Sequence, residues 1–294
     1  MATQWTWEMW SSRWAGSPEE DLASVFTRVR VSRTARTRAE WARDGRTRAF
    51  CELGAYLLHQ HHLKGEATAE RRLFRNLGGE ELMRLAARLI PDQGLAEALD
   101  RQRWSDTWGH QEAYIEDLLA YIFRSGPTLR RILEAQQQLV GHAQSMPLGE
   151  LIRAGVEVEM ASSVEDPVVA LQTFLEAALP HKPTIRVAVA RIESEMLQVW
   201  ATLYEALLTA YGVRLRPGVT YMDIAMLFNT VIEGALLRTR SLGVAPRIST
   251  GEHILAAAII KMLPGLCEIT PAEVETRRRL LPVSLPSAAP LTGE

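Results

Sequence analysis

The sequence predicts an all-α protein, and three observations carry that prediction. Strand signals are nearly absent: the one alternating stretch, Thr27-Arg-Val-Arg-Val-Ser32, is short and crowded by Ala and Arg on its C-terminal side. Apolar residues recur at three- and four-residue spacing along most of the chain, the period of a helix with one buried face. Helix start and stop residues punctuate these runs. Apolar residues make up 47% of the 294 and charged residues 23%, which excludes disorder throughout and allows one large domain or two smaller ones.

The first segment, 1–16, holds Trp5, Trp7, Trp10 and Trp14, half of the eight tryptophans. So much aromatic surface predicts an arm that docks on the body or on a partner subunit. Ser17-Pro-Glu-Glu20 combines a capping Ser, a Pro at the first helical position and a Glu three residues after the Ser, and predicts a helix from about 18. That helix would run toward a segment in which eight arginines between Arg28 and Arg48 face only Glu40 and Asp44. Such a segment suits either phosphates or a solvated helical face. Phe50 to His62 reads as a helix, with His59, His61 and His62 in a solvated last turn that offsets the helix dipole. No acidic or Cys partner stands at a ligand spacing, so these histidines are not read as a metal site.

Beyond the Gly78-Gly79 break, Glu80 to Ile90 is amphipathic, residues 94–110 form two short helical pieces, and a helix runs from Gln111 to Phe123. Ser125-Gly126-Pro127 is a break, and long helices follow at about 128–143, 148–161, 166–179, 184–211, 220–241 and 250–263. Thr220-x-x-Asp223 and Ser249-x-x-Glu252 look like capping boxes, and Pro264-Gly265 stops the last main helix. The expected organisation is a Trp-rich arm (1–16), an accessory helical region (17–78), a helix-turn-helix-like domain (79–124), a ligand-binding and dimerisation domain (125–268) and a disordered tail (280–294).

Phosphate-binding glycine loops, C-x-x-C, H-E-x-x-H, G-x-S-x-G and the Glu-x-x-His pair of di-iron bundles are all missing from the sequence. Glu116-Asp117 and Glu165-Asp166 are isolated acidic pairs, read as surface or helix-start acids. An enzyme is therefore not expected, and no catalytic residue, metal ligand or cofactor is assigned. The longest strongly apolar stretch, 254–260, falls far short of a bilayer span, so no membrane partner is expected. The first residues lack the basic and apolar regions of a signal peptide, and Cys51 and Cys267 do not make a disulfide framework. These features fit a cytoplasmic protein.

Leu95-Ala-Glu-Ala-Leu-Asp-Arg-Gln-Arg-Trp104 reads as helix, tight turn, helix. Leu95, Ala96 and Leu99 would pack the first helix, and Asp100 would cap the second. Arg101, Gln102 and Arg103 then occupy the turn that enters a major groove, where Arg matches guanine and Gln matches adenine. Ser105, Thr107, Trp108 and His110 lie within two turns, at reach of the sugar-phosphate backbone.

At these residues the chain resembles the tetracycline-repressor (TetR) family. The stretch 95–123, with Trp104, Trp108-Gly-His-Gln-Glu-Ala-Tyr114 and Ile115-Glu-Asp-Leu-Leu119, looks like the end of that family's DNA-binding domain. Leu151-Ile-Arg-Ala-Gly-Val156, Phe174-Leu-Glu-Ala-Ala-Leu-Pro180, Leu215-Arg-Pro-Gly-Val219 and Ile232-Glu-Gly-Ala-Leu-Leu237 are similar to its ligand and dimerisation domain. The resemblance implies a homodimer joined by a four-helix bundle, a duplex operator, a small apolar ligand and repression relieved by that ligand. Met196, Trp200, Tyr204, Met222, Met226 and Phe228 are the candidates to line the ligand pocket, with plain core packing as their other reading. The turn at Ala98-Leu99-Asp100 lacks the family's usual Gly, and Asp100 and Asp106 put negative charge on a surface meant for phosphates. The alternative is thus a TetR-like helical dimer that has lost DNA binding and binds a small molecule or a protein.

Overall fold

The computed structural model describes residues 6–14, 20–30, 33–63, 73–283 and 285. The fold is all-α, with no strand among the described residues. The helices are α1 (Trp7–Trp14), α2 (Ala35–Ala42), α3 (Gly45–His62), α4 (Gly79–Leu89), α5 (Gln93–Ala98), α6 (Arg101–Trp108), α7 (Gln111–Ile122), α8 (Ser125–His142), α9 (Leu148–Val164), α10 (Pro167–Ala178), α11 (Pro183–Ala210), α12 (Tyr221–Leu242), α13 (Ile254–Leu266) and α14 (Pro271–Thr276). They divide into two compact units, residues 1–128 with 165–192 and residues 129–164 with 193–294. No helix among the described residues is long and apolar enough to cross a membrane.

Local chemistry sets many of the helix starts. Side-chain oxygens of Thr34, Asp44, Asp92, Asp100 and Asp166 accept from backbone N–H groups in the first turns of α2, α3, α5, α6 and α10. The expected capping box at Thr220 and Asp223 is made in full, and a second, at Thr270 and Glu273, starts α14, a helix the sequence reading did not anticipate.

Three start and stop readings need correcting. Ser249 and Glu252 do not start a helix; they sit in a turn closed by Ile248 N–H to Glu252 O, and His253 caps α13 through its ring nitrogen. Pro264 and Gly265 lie inside α13 rather than ending it, because the helix closes only at Cys267, whose N–H reaches Leu263 O. The Ser125-Gly126-Pro127 break is the first turn of α8, where a proline is tolerated. The helix expected from 18 is not found among residues 20–30, which form turns; Ser17, Pro18 and Glu19 lie outside the described residues, as do Trp5 and most of the expected tail.

In the first unit the core is aromatic. Trp10 and Trp14 of α1 are fully buried. Trp10 packs on Tyr56 and His59, and Trp14 stacks on Tyr121. His59 is therefore a core residue and not a solvated one, while the ring of His62 stacks on Phe174. Arg124 is buried with it: its guanidinium lies 3.7 Å over the Tyr121 ring and donates to Glu20, Tyr121 O and Trp14 O. A buried cation is tolerable only with such a full set of partners. The second unit packs α9 against α12, α13 and α14, with Arg153 bridging Glu252 and Glu275 at 2.7 and 2.8 Å.

Helices α3 and α7 approach closely at Gly54, where an added Cβ would land on the hydroxyl oxygen of Tyr114; that hydroxyl donates to Phe50 O at 2.7 Å. Gly54→Ala should therefore destabilise the first unit by about 1–3 kcal/mol through overpacking, against the slight gain Ala normally brings to a helix interior. Urea melts followed by tryptophan fluorescence check this.

Candidate functional site

Two places merit a functional reading: the short helix pair α5–α6 in the first unit, and a cavity in the second.

Helix α6 begins as its sequence requires, with Asp100 Oδ1 accepting from Arg103 N–H at 2.6 Å. Its aromatic side then determines its orientation. Trp108 is 5% exposed and packs edge-on to Tyr114 and Phe50, and Trp104 packs on Tyr114 and across Gly79. The indole Nε1 of Trp108 donates to Asp117 Oδ2 at 2.9 Å, and Arg28 N–H donates to Oδ1 of the same carboxyl at 2.9 Å. Arg30 sits at φ +48°, an unfavourable region for a residue that carries a Cβ, and is held there by its N–H to Thr107 O at 2.9 Å.

The proposed base-reading residues are split by this packing. Arg103 has an 11% exposed side chain; its guanidinium lies 3.4 Å from the Trp41 ring centroid and donates to Asp44 at 2.8 Å. Thr107 is buried, with its hydroxyl on Arg103 O, and Trp108 is buried as described. Arg103, Thr107 and Trp108 are therefore turned into the first unit, where their apolar and hydrogen-bonding needs are met. Arg101, Gln102, Ser105 and His110 are exposed. Arg101 makes only a 3.4 Å surface pair with Glu80, and the His110 ring accepts from Ala113 N–H to cap α7.

The arginine-rich segment is likewise mostly engaged. Arg30 pairs with Asp106 and lies over Trp41, as Arg103 does, Arg36 pairs with Glu40, Arg43 with Asp21, Arg46 with Asp44, and Arg48 with Glu20 and Glu52. Arg28, Arg33 and Arg38 make no ion pair among the described residues.

The two acidic pairs are not both superficial. Glu116 accepts from Lys182 and Thr184, and Asp166 caps α10. Asp117 is fully buried, not a surface acid, and burial pushes its carboxyl up to about 7 despite the N–H donors that favour the anion.

In the second unit, four helices each aim one face at a common cavity of about 100 Å³. Helix α9 contributes Leu148, Leu151, Ile152, Gly155, Val156 and Glu159, the 3–4 spacing of a single face. Helix α11 gives Trp200, Tyr204, Leu207 and Leu208; α12 gives Ile224, Phe228 and Ile232; α13 gives Leu255, Ile259 and Leu263. Leu139 of α8 closes one side, lying so near Gly155 that a Cβ there would meet it at 2.7 Å. Trp200 stacks on Tyr204 with centroids 5.8 Å apart, and Phe228 meets Tyr204 edge-on at 5.4 Å.

Of the six residues expected to line a pocket, Trp200, Tyr204 and Phe228 do so. Met196 lies one turn beyond Trp200 and packs on the core past the end of the cavity. Met222 also packs on the core, and Met226, 50% exposed, faces outward because it is two residues, about 200° of helix, from Phe228. The α9 wall was missed, although its 148–159 spacing was available to find it. Glu159, the one acidic residue in the lining, was not singled out because nothing local in sequence marks it.

No family model, no curated protein and no solved structure matches the chain.

Asp117 yields a pH prediction. Its carboxyl binds a proton more tightly in the folded state than unfolded, so its favourable contribution is complete below about pH 4 and is lost as pH rises to about 7. The loss is on the order of a few kcal/mol. Asp117→Asn, neutral throughout, should flatten the fall in stability between about pH 4 and 7. Urea midpoints at pH steps across that window measure it. A second test separates the arginines: Arg103→Ala should cost about 1–3 kcal/mol, since it removes a nearly buried guanidinium stacked on Trp41 and one of the two arginines on Asp44, and Arg101→Ala under about 0.5 kcal/mol.

Proposed function

We propose that this chain is a helical small-molecule-binding protein on a scaffold of the tetracycline-repressor type, in which the second unit holds the ligand and α6 no longer reads DNA. The observation that carries this reading is the cavity. Protein interiors are normally filled to crystal density, yet α9, α11, α12 and α13 each turn one apolar face toward the same unfilled space. A space of about 100 Å³ lined by aromatic and branched side chains suits an apolar molecule of benzene or short-alkyl size. The inward turn of Arg103, Thr107 and Trp108 supports the loss of DNA reading.

The proposal includes a second copy of the chain. Met226, Gly234 and Leu237 are exposed along one stripe of α12, and an added Cβ at Gly234 meets nothing within 4 Å. A self-complementary stripe of this kind suits a two-fold pairing. The free, buried thiols of Cys51 and Cys267 suit a reducing cytoplasm, where we place the protein.

A second reading, the ligand-responsive repressor of duplex DNA, is favoured by one observation: Arg101, Gln102 and Ser105 are exposed on the first turns of α6. Fluorescence anisotropy with duplex DNA separates the two. Affinity falling steeply between about 50 and 200 mM salt and weakened by Arg101→Ala would favour the repressor. Weak binding indifferent to Arg101→Ala is the outcome expected here.

For the ligand, toluene should raise the melting temperature of the wild-type chain and quench or shift the fluorescence of Trp200 in the cavity wall. Val156→Phe, which fills the space, should abolish both effects. Equal responses from the two proteins would sink the proposal. Leu237→Glu should halve the mass seen by sedimentation equilibrium if two copies meet over α12.

A further inference from the structure

We infer that the cavity of the second unit selects a neutral apolar molecule carrying one hydroxyl group, and that the hydroxyl is received by Glu159. This rests on the cavity being a ligand site, and adds the chemistry of the ligand.

Glu159 is 8% exposed and lies in a lining otherwise made of hydrocarbon and aromatic rings. Its two carboxylate oxygens are treated differently. Oε1 accepts from Arg131 Nη1 at 2.9 Å and from Ser163 Oγ at 2.6 Å, and the Arg131 guanidinium also donates to Ser163. Oε2 is buried and has no hydrogen-bond partner among the described residues. A buried acceptor left empty costs more than a typical hydrogen bond contributes, so a donor brought into the cavity gains that deficit back. The Tyr204 hydroxyl makes no hydrogen bond among the described residues, and burial together with the charge of Glu159 holds its phenol above the ordinary range.

Charge decides which donor fits. Arg131 already balances Glu159 at 2.9 Å, so the pair is close to neutral as it stands. An ammonium head group would bring an unbalanced cation into an apolar space, and a carboxylic acid would set a second anion beside the first. A hydroxyl donates one hydrogen bond and adds no charge. It also leaves its own oxygen free to accept from Tyr204. Alcohols and phenols of benzene size therefore meet both requirements of the wall: hydrocarbon contact on nearly every side and one donor at Oε2.

Titration calorimetry with p-cresol, toluene and acetophenone tests this. The three are of similar size and offer a donor, no polar group and an acceptor alone. By transfer from water toluene is the more hydrophobic, so area burial by itself ranks it above p-cresol. The expected result in the wild type is the reverse: p-cresol tighter than toluene by about tenfold or more, with acetophenone no better than toluene. In Glu159→Gln the amide oxygen stays with Arg131 and Ser163, which turns the amide N–H2 into the cavity. The variant should then gain affinity for acetophenone and lose most of the preference for p-cresol. If p-cresol and toluene bind the wild type equally, the hydroxyl inference is overturned while the cavity remains a ligand site. If none of the three binds, the ligand-site reading falls with it. Because the wild-type ranking stands alone, the test survives a poorly folded variant.

Discussion

The hydrogen bond from Trp108 to the buried carboxyl of Asp117 is the constraint on which the first unit turns. It couples the end of α6 to the middle of α7, and the same carboxyl receives the backbone N–H of Arg28 from the segment that precedes α2. Two consecutive helices and a segment 89 residues before Asp117 are thereby fixed at one polar point inside an aromatic core. The arrangement is expensive, since burial disfavours the anion enough to raise Asp117 to about 7. It persists because the indole N–H and the Arg28 N–H would otherwise be buried without acceptors. Thr107 and Arg103 are turned inward as well, the first by its hydroxyl bond to Arg103 O and the second by Trp41 and Asp44, while Arg101, Gln102 and Ser105 stay exposed.

The second unit works by a different rule. Its helices bring together faces that are each well formed, yet they leave a partly open apolar cavity between them. A void lined by hydrocarbon loses dispersion contacts in proportion to its surface, so an unfilled cavity lowers stability unless something occupies it. The Arg131–Glu159–Ser163 cluster adds a second cost, because an ion pair removed from water is repaid only when every lone pair and proton is satisfied. Both costs fall on the same wall of the same cavity.

Much of the scaffold was legible in the sequence. The helices from α4 through α12 follow from apolar spacing and from caps written in single residues, such as Asp100, Asp166 and the Thr220–Asp223 pair. The misreadings share a cause. Ser249 and Glu252 have the right spacing for a cap, but a turn closed on Glu252 O competes for the same backbone groups. Pro264 can lie in the last turn of α13 because the group it fails to donate is a single bond among many, and the packed face of Leu255, Ile259 and Leu263 outweighs it. His59 and Asp117 look like surface residues by type; only the convergence of α1, α3, α6 and α7 buries them. For the cavity, Trp200, Tyr204 and Phe228 were visible as aromatic residues at helical spacing. Glu159 was not, since an acid amid apolar neighbours gains meaning only when Arg131, twenty-eight residues away, is seen beside it.

The arginine-rich segment shows why composition is a weak guide to nucleic-acid binding. In sequence it carries a large excess of positive charge. In the fold, most of that charge is matched by acids drawn from elsewhere: Asp21 reaches Arg43, Glu20 and Glu52 reach Arg48, and Asp106 reaches Arg30. The indole of Trp41 takes up the faces of two guanidinium groups, Arg30 and Arg103, which draws both toward the protein and away from solvent. A phosphate would have to displace these partners, and would gain only the difference between one carboxylate and another anion. The field that steers a protein to DNA comes from charge left over after internal pairing. Among the described residues Arg28, Arg33 and Arg38 of this segment make no ion pair, and Arg101 on α6 is held only by a weak surface pair. Such a remainder is consistent with a first unit whose arginines serve to assemble it.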